Sequence, residues 1–251
     1  MEPQKRDLKH PTAQWAEIDS GTFIQLGEVF TVERSDIQRS FLDLIPFSPE
    51  QDFTFYELCT GAGWLSRTIL EHFSRARAIG IDTSEAMLGE TAKQLRHIPT
   101  HRWRLEQRNI EEFLNPTGFT EKPDLVVSSL AVHHLFCEQK QQLFKSVQQT
   151  LRPGGAFLIF DLVQPRSLMQ QNLYARTWNE VVQQQGENWK GTHDPYQVFQ
   201  QQEWNYYEHL NDPIDHPSTL FEQLNWMNQS GLRRVDCFYL KAGHALYGGY
   251  V

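Results

Sequence analysis

From residue 53 onward, short apolar runs alternate with segments in which apolar side chains recur every three or four positions. The runs suit buried strands, and the three-to-four spacing suits one face of a helix. Phe53–Leu58 reads as a first strand, and Leu65, Ile69, Leu70 and Phe73 mark the buried face of the helix after it. Ala78–Ile81 is a second strand ending at Asp82; Ser84 caps the next helix, with Glu85 in its first turn and Met87, Leu88 and Leu95 facing inward. Trp103 and Leu105 alternate with arginines in a third strand that leads to Asn109. Leu125–Leu130 is almost wholly apolar, as a strand buried on both faces should be. Leu143, Phe144, Val147 and Leu151 build a helix that stops at Pro153-Gly154-Gly155, before a fifth strand over Ala156–Val163. Strands and helices that alternate with short joints predict an α/β fold, a doubly wound, mostly parallel sheet with helices on both faces.

The flanks complete one domain without an internal linker. Residues 1–50 read as a helical cap, with Ile37, Phe41, Leu42 and Ile45 at helical spacing before Pro46 and Pro49. Residues 51–163 form the core. Residues 164–217 break the rhythm and are rich in glutamine and aromatics, with Leu168, Leu173, Val181 and Val182 indicating at least one helix. Such an insertion after a strand's carboxyl end is placed to be a lid over a site; equally, it is a helical subdomain that pads the sheet. In residues 218–251, Leu220, Leu224, Trp226 and Met227 form a last helix ending near Gly231. Val235–Leu240 and Ala245–Val251 then make a terminal antiparallel hairpin, for seven strands in all.

Composition narrows the class. With 251 residues, 39% hydrophobic and 12% aromatic, the chain can build a sizeable core. Its net charge of −8 argues against a general nucleic-acid binder, which needs a basic face. Arg96, Arg102, Arg104 and Arg108 fall close together, and a solvated edge strand and helix end account for them. Cys59, Cys137 and Cys237 are odd in number and far apart, so neither a disulfide framework nor a zinc knuckle is indicated. Met1–Lys9 lacks the apolar region of a signal peptide, and no apolar run approaches the roughly 20 residues of a membrane helix. The expectation is a soluble, cytoplasmic protein.

Chemistry concentrates at the strand ends. Glu57-Leu58-Cys59-Thr60-Gly61-Ala62-Gly63 closes the first strand, and Asp82 closes the second. In an open parallel sheet the ligand sits beyond the strands' carboxyl ends, where strand order reverses. Glycines there let backbone approach a ligand that a Cβ would push away. An acid about 20 residues beyond them, at the next strand's end, suits the hydroxyls of a ribose. Glu57 would repel a diphosphate and attract a cationic ligand. Trp64-Leu65-Ser66 also fits a dinucleotide loop poorly.

These residues resemble the class I S-adenosylmethionine-dependent methyltransferases. Glu57–Gly63 is similar to that family's first motif, and Gly80–Leu88 to its second. There the acid, here Asp82, with Thr83 beside it, holds the ribose, and a methionine, here Met87, lies by the adenine. Arg108-Asn109-Ile110 resembles the motif whose side chain and next backbone amide meet the adenine. Ser128–Leu135, with Ser129 among the cofactor contacts, resembles the segment after strand four, and Leu151–Gly155 the turn before strand five. The resemblance spans roughly Phe53 to Val163, and it implies S-adenosylmethionine as cofactor with contacts from Glu57, Cys59, Gly61, Gly63, Asp82, Thr83, Met87, Asn109, Ile110 and Ser129. Two residues depart from the pattern: Cys59 stands where a glycine is usual, and Asn109 where Asp is commoner.

Methyl transfer from a sulfonium is mainly alignment, with a base needed only for a protonated acceptor. His133 and His134 follow strand four, where an acceptor approaches. One of them is a candidate base or orienting group; a polar loop pair, one ring packed and one solvated, is the alternative. His193, Asp194, His209, Asp212 and His216 match no metal-site spacing, so no metal is expected. The segment after strand four lacks the Pro-Pro-aromatic run of base and amide methylation, and no Pro-Cys nucleophile is present. A small-molecule acceptor enclosed by the aromatic insertion is the expectation, with oxygen, nitrogen and carbon acceptors all open. A nicotinamide-dependent oxidoreductase and a non-catalytic cofactor-binding protein are the rivals, and a homodimer is one use for the cap and insertion.

Overall fold

A computed structural model describes residues 17–191 and 194–251. Seven strands form one sheet in the order β3-β2-β1-β4-β5-β7-β6: β1 (Phe53–Leu58), β2 (Ala76–Asp82), β3 (Trp103–Gln107), β4 (Leu125–Ser129), β5 (Ala156–Leu162), β6 (Arg233–Lys241) and β7 (His244–Tyr250). Strands β1 to β5 pair in parallel, and β7 runs antiparallel to both neighbours. The helices are α1 (Glu17–Phe30), α2 (Arg34–Leu44), α3 (Trp64–His72), α4 (Glu85–Gln94), α5 (Cys137–Thr150), α6 (Leu168–Gly186), α7 (Pro195–Gln201) and α8 (Leu220–Ser230).

Alternation along the strands divides the core into two layers. Phe53 and Phe55 of β1 pack on one face with Leu125 and Val127 of β4, Ile37 and Phe41 of α2, and Leu65 and Ile69 of α3. Tyr56 and Leu58 point the other way, to Val126, to Leu143 and Val147 of α5, to Trp178 of α6 and to Met227 of α8. Every β1, β5 and β4 residue except Ser129 is buried, which is why these strands read as unbroken apolar runs. The edge strand β3 is only half-buried, which explains its alternation with arginines.

Strand order reverses between β1 and β4, so the loops after these two strands part and leave a crevice at the sheet's carboxyl edge. The hairpin turns through Ala242 and Gly243, both at positive φ (50° and 74°), the two-residue geometry that matches strand twist.

The insertion holds two helices, α6 and α7. Leu168 and Leu173 lie on the outer face of α6, 70% and 47% exposed, while Tyr174, Ala175, Trp178, Val181 and Val182 make its buried face. Trp178 packs edge-on against Phe199 and His244, and its indole donates to Phe30 O at 2.9 Å. Tyr207 places its hydroxyl 2.6 Å from Gly243 O and 3.0 Å from Val163 O. These rings are core, locked against the sheet edge and α1, and so are not free to stack on an acceptor. Among the described residues no helix is long and apolar enough to cross a membrane.

Candidate active site

The glycine turn after β1 is held by three carboxylate bonds. Glu57 is buried, and its Oε2 accepts from Ser66 N (3.0 Å), from Thr60 Oγ1 (2.9 Å) and from the Ser66 hydroxyl. Burial pushes its carboxyl up to about 7 despite these donors, and Asp82 adds to the rise. Glu57 therefore ties the turn to the first turn of α3 from below. All three bonds end on Oε2, so one carboxylate oxygen holds the turn together.

Asp82 links the two neighbouring loops. Oδ2 accepts from Gly61 N at 2.8 Å, and Oδ1 from Ser84 N at 2.9 Å. A carboxylate oxygen can accept from more than one donor. Gly63, at φ 77°, sits against α4: a Cβ there would fall 2.7 Å from Thr91 Cγ2. Gly61, at φ 54°, faces open space, since a Cβ there would meet nothing within 4 Å, and Thr91 Oγ1 donates to its carbonyl at 2.7 Å. The turn thus shows one glycine needed for packing and one that leaves a bare backbone toward the crevice.

Cys59 takes the left-handed backbone, φ 57°, that the usual glycine adopts freely. Its thiol is pushed well up by burial and by the fields of Asp82, Asp161 and Glu57. Three carboxylates around one side chain make this crevice a favourable place for a cation. At the end of β4, Ser129 Oγ is buried without a hydrogen-bond partner among the described residues, an orphan that a bound ligand would satisfy.

The remaining expected contacts are less direct. Met87 is buried in α4, its amide donating to the Ser84 cap at 3.1 Å. Thr83 is exposed, and its carbonyl accepts from Gln107 Nε2. Asn109 caps the 3-10 turn Ile110–Leu114 through a capping box with Glu112, its Oδ1 accepting from Glu111 N at 3.1 Å. Ile110 is buried behind it.

Beyond β4, the 3-10 turn Val132–His134 presents both histidines. His133 is buried; Nδ1 is bonded to Asp161 Oδ1, its amide donates to Asp161 Oδ2 at 2.8 Å, and Nε2 lies 3.4 Å from Asp215 Oδ1. Burial alone would lower its basicity, but the Asp161 and Asp215 carboxylates outweigh this and hold the imidazole near a pKa of about 10. With a carboxylate facing each ring nitrogen, the imidazole of His133 favours its charged form. His134 is half-buried, with Nδ1 3.1 Å from Asp215 Oδ1.

Asp161 and Asp215 went unread in the sequence. Asp161 carried a signal, a lone acid within the apolar run of β5, where a buried charge demands a partner. Asp215 carried none, lying in an irregular segment between α7 and α8. Of the insertion residues weighed as metal ligands, Asp194 caps α7 through Tyr196 N and His216 stacks on Phe136 at 4.3 Å; His193 lies outside the described residues. Arg104 pairs with Glu106 and Glu121, Arg108 with Glu112 and Glu106, and Arg102 donates to three carbonyls of residues 70–76.

A glycine turn at the switch point, an acid at the end of β2 and an antiparallel β7 beside β5 together define the class I methyltransferase fold. The dinucleotide fold differs in its sheet, with order 3-2-1-4-5-6. Residues 56–157 match the family model described as a methyltransferase domain. An uncharacterized methyltransferase from Synechocystis is 32% identical over 124 residues, 49% of this chain and 53% of the relative, so this chain matches about half the relative's length. Solved structures share the fold. An O-methyltransferase family protein from Burkholderia thailandensis aligns with TM-score 0.62 and 12% identity, over 93% of this chain and 58% of that one. An O-methyltransferase family 2 protein from Planctomyces limnophilus, in complex with apigenin, aligns at 0.59 and 18%, over 92% and 60%. Human N-acetylserotonin methyltransferase, in complex with S-adenosylmethionine, aligns at 0.55 and 16%, over 94% and 56%.

Proposed function

We propose that this protein transfers the methyl group of S-adenosylmethionine to a small-molecule acceptor. The observation that carries the reading is the crevice beside β1. At the carboxyl ends of β1, β2 and β4 stand the open backbone of Gly61, the Asp82 carboxylate and the unpartnered Ser129 Oγ, and Cys59 beside them feels the fields of Asp82, Asp161 and Glu57. A cationic sulfonium ligand with a ribose fits that donor and acceptor set, whereas a diphosphate does not. Apigenin and N-acetylserotonin, named with two of the structural relatives, are small molecules, which supports the same class of acceptor here.

The cofactor supplies both the methyl group and its leaving group, so the chain's own contribution is placement. Asp82 accepts from ribose hydroxyls while keeping the Gly61 loop and the start of α4 in register. Glu57 fixes the turn from below. His133, locked between Asp161 and Asp215, sets the position of His134 at the crevice's acceptor side. His134 is then the histidine placed to orient the acceptor or take a proton from a protonated one.

Calorimetric titration with S-adenosylmethionine, S-adenosylhomocysteine and NAD tests the cofactor. The expected result is saturable binding of the two adenosyl ligands alone, weakened about ten-fold or more in Asp82→Ala by loss of charge-assisted hydrogen bonds. Binding of NAD, or of none of the three, would overturn the reading. Replacement of His134 by Ala tests the acceptor side: turnover should fall with S-adenosylmethionine affinity unchanged.

A further inference from the structure

We propose that His133, His134 and Asp215 bind one divalent transition-metal ion of the zinc type, with Asp161 orienting His133. The proposal shares His134 with the methyl-transfer reading but does not rest on it: its readout is metal binding and needs no cofactor.

The three residues come from two separate segments. The turn Val132–His134 sets two successive imidazoles with centroids 4.1 Å apart, and the segment before α8 brings Asp215 against both. One ligand atom from each lies within 4.8 Å of the others. The Asp215 Oδ1 distances, 3.4 Å to His133 Nε2 and 3.1 Å to His134 Nδ1, are long for charge-assisted hydrogen bonds, which run about 2.7–2.9 Å. They also match ligand spacing: bonds of about 2.0–2.1 Å in a tetrahedral site place donors about 3.3 Å apart.

The surroundings are those of a prepared ligand set. Asp161 holds His133 Nδ1 and also its backbone amide, so Nε2 is aimed at Asp215. A carboxylate on the far nitrogen is the usual device that fixes a metal-bound imidazole and raises its donor strength. The neighbouring cation Lys140 is turned away, its ammonium bonded to His216 O and, at 2.9 Å, to Ser218 Oγ. Two imidazoles and one carboxylate suit zinc and neighbouring first-row ions, and three protein ligands leave a position for water or for an oxygen of a bound molecule. On binding, His133 gives up its Nε2 proton to solvent and His134 carries its own proton on Nε2.

The test is a Co2+ titration of the chelator-treated full chain, followed by visible d–d absorption. The expected result is a band that saturates at one ion per chain and is displaced by Zn2+. It should weaken about ten-fold or more in His134→Ala and in Asp215→Asn, each with an unchanged circular dichroism spectrum. His134 is only half-buried, so its variant keeps the test valid should Asp215→Asn fail to fold. Absence of a saturable band, or a band undiminished in a folded His134→Ala, would overturn the proposal and leave the four side chains as a proton-linked network only.

Discussion

Single residues carry more strain and buried charge than their neighbours in sequence suggest. Left-handed backbone costs an L-residue about 1–2 kcal/mol, and glycine's greater unfolded-state entropy returns about 0.5–1 kcal/mol of that. Cys59→Gly should therefore raise stability by up to about 1 kcal/mol, read as a higher urea midpoint; a lower one would mean that thiol packing outweighs the strain. The same residue should be inert to thiol reagents at neutral pH, since burial and three carboxylates hold its pKa up, while exposed Cys137 reacts. Faster labelling of Cys59 than of Cys137 would contradict this field. Glu57 gives a pH signature. Its folded pKa of about 7 exceeds the ordinary value of 4.5, so the folded state binds the extra proton. The stabilisation is full below pH 4.5 and is lost as pH rises to 7, on the order of 3 kcal/mol. Glu57→Gln should flatten that fall, and parallel melting curves for the two proteins between pH 5 and 8 would refute it.

Among the elements, the segment between α7 and α8 depends on contacts from α5 and the β4 turn. Lys140 of α5 is buried and bonds His216 O and Ser218 Oγ, and His133 N–H···Asp161 anchors the turn beside it. Burial lowers the Lys140 pKa to about 8, against the pull of Asp161. Lys140→Met leaves two acceptors unsatisfied and should cost about 1–3 kcal/mol. Amide exchange should quicken in residues 212–218 before it does in the sheet. Uniform exchange across the molecule would show that the segment is not separately held. His133→Gln should cost more, about 3–5 kcal/mol, because it strands buried Asp161 without its counter-charge; a urea midpoint near that of the unaltered protein would refute the pairing. The insertion shows the limits of pattern at this scale. Its helix was legible, but not which face it buries: Leu168 and Leu173 lie outward. The ring of Trp178, which meets Phe199 and His244 from elements far along the chain, decided the buried face.

For the whole molecule, the alternation of strand and helix was legible because each layer buries a regular stripe, and a stripe is a local pattern. The five parallel strands, the terminal hairpin and the glycine turn followed from it, and Asp82 was found because it ends a strand at a readable distance. What a chain folded in three dimensions decides is partnership. Sequence placed Glu57, Asp82 and the two histidines at strand ends, and left open whether each would face ligand or protein. The tertiary structure turned Glu57 under its own turn, gave Asp82 a place between two loops, and set His133 between Asp161 and Asp215. Asp161 lies 28 residues from His133 along the chain, and Asp215 arrives from an irregular segment. Protonation and coordination depend on charges within a few ångströms, wherever in the chain they originate. The succession of strands and helices was therefore written in local periodicity, whereas the sheet order and the chemistry of the histidines were settled only when distant segments were brought together.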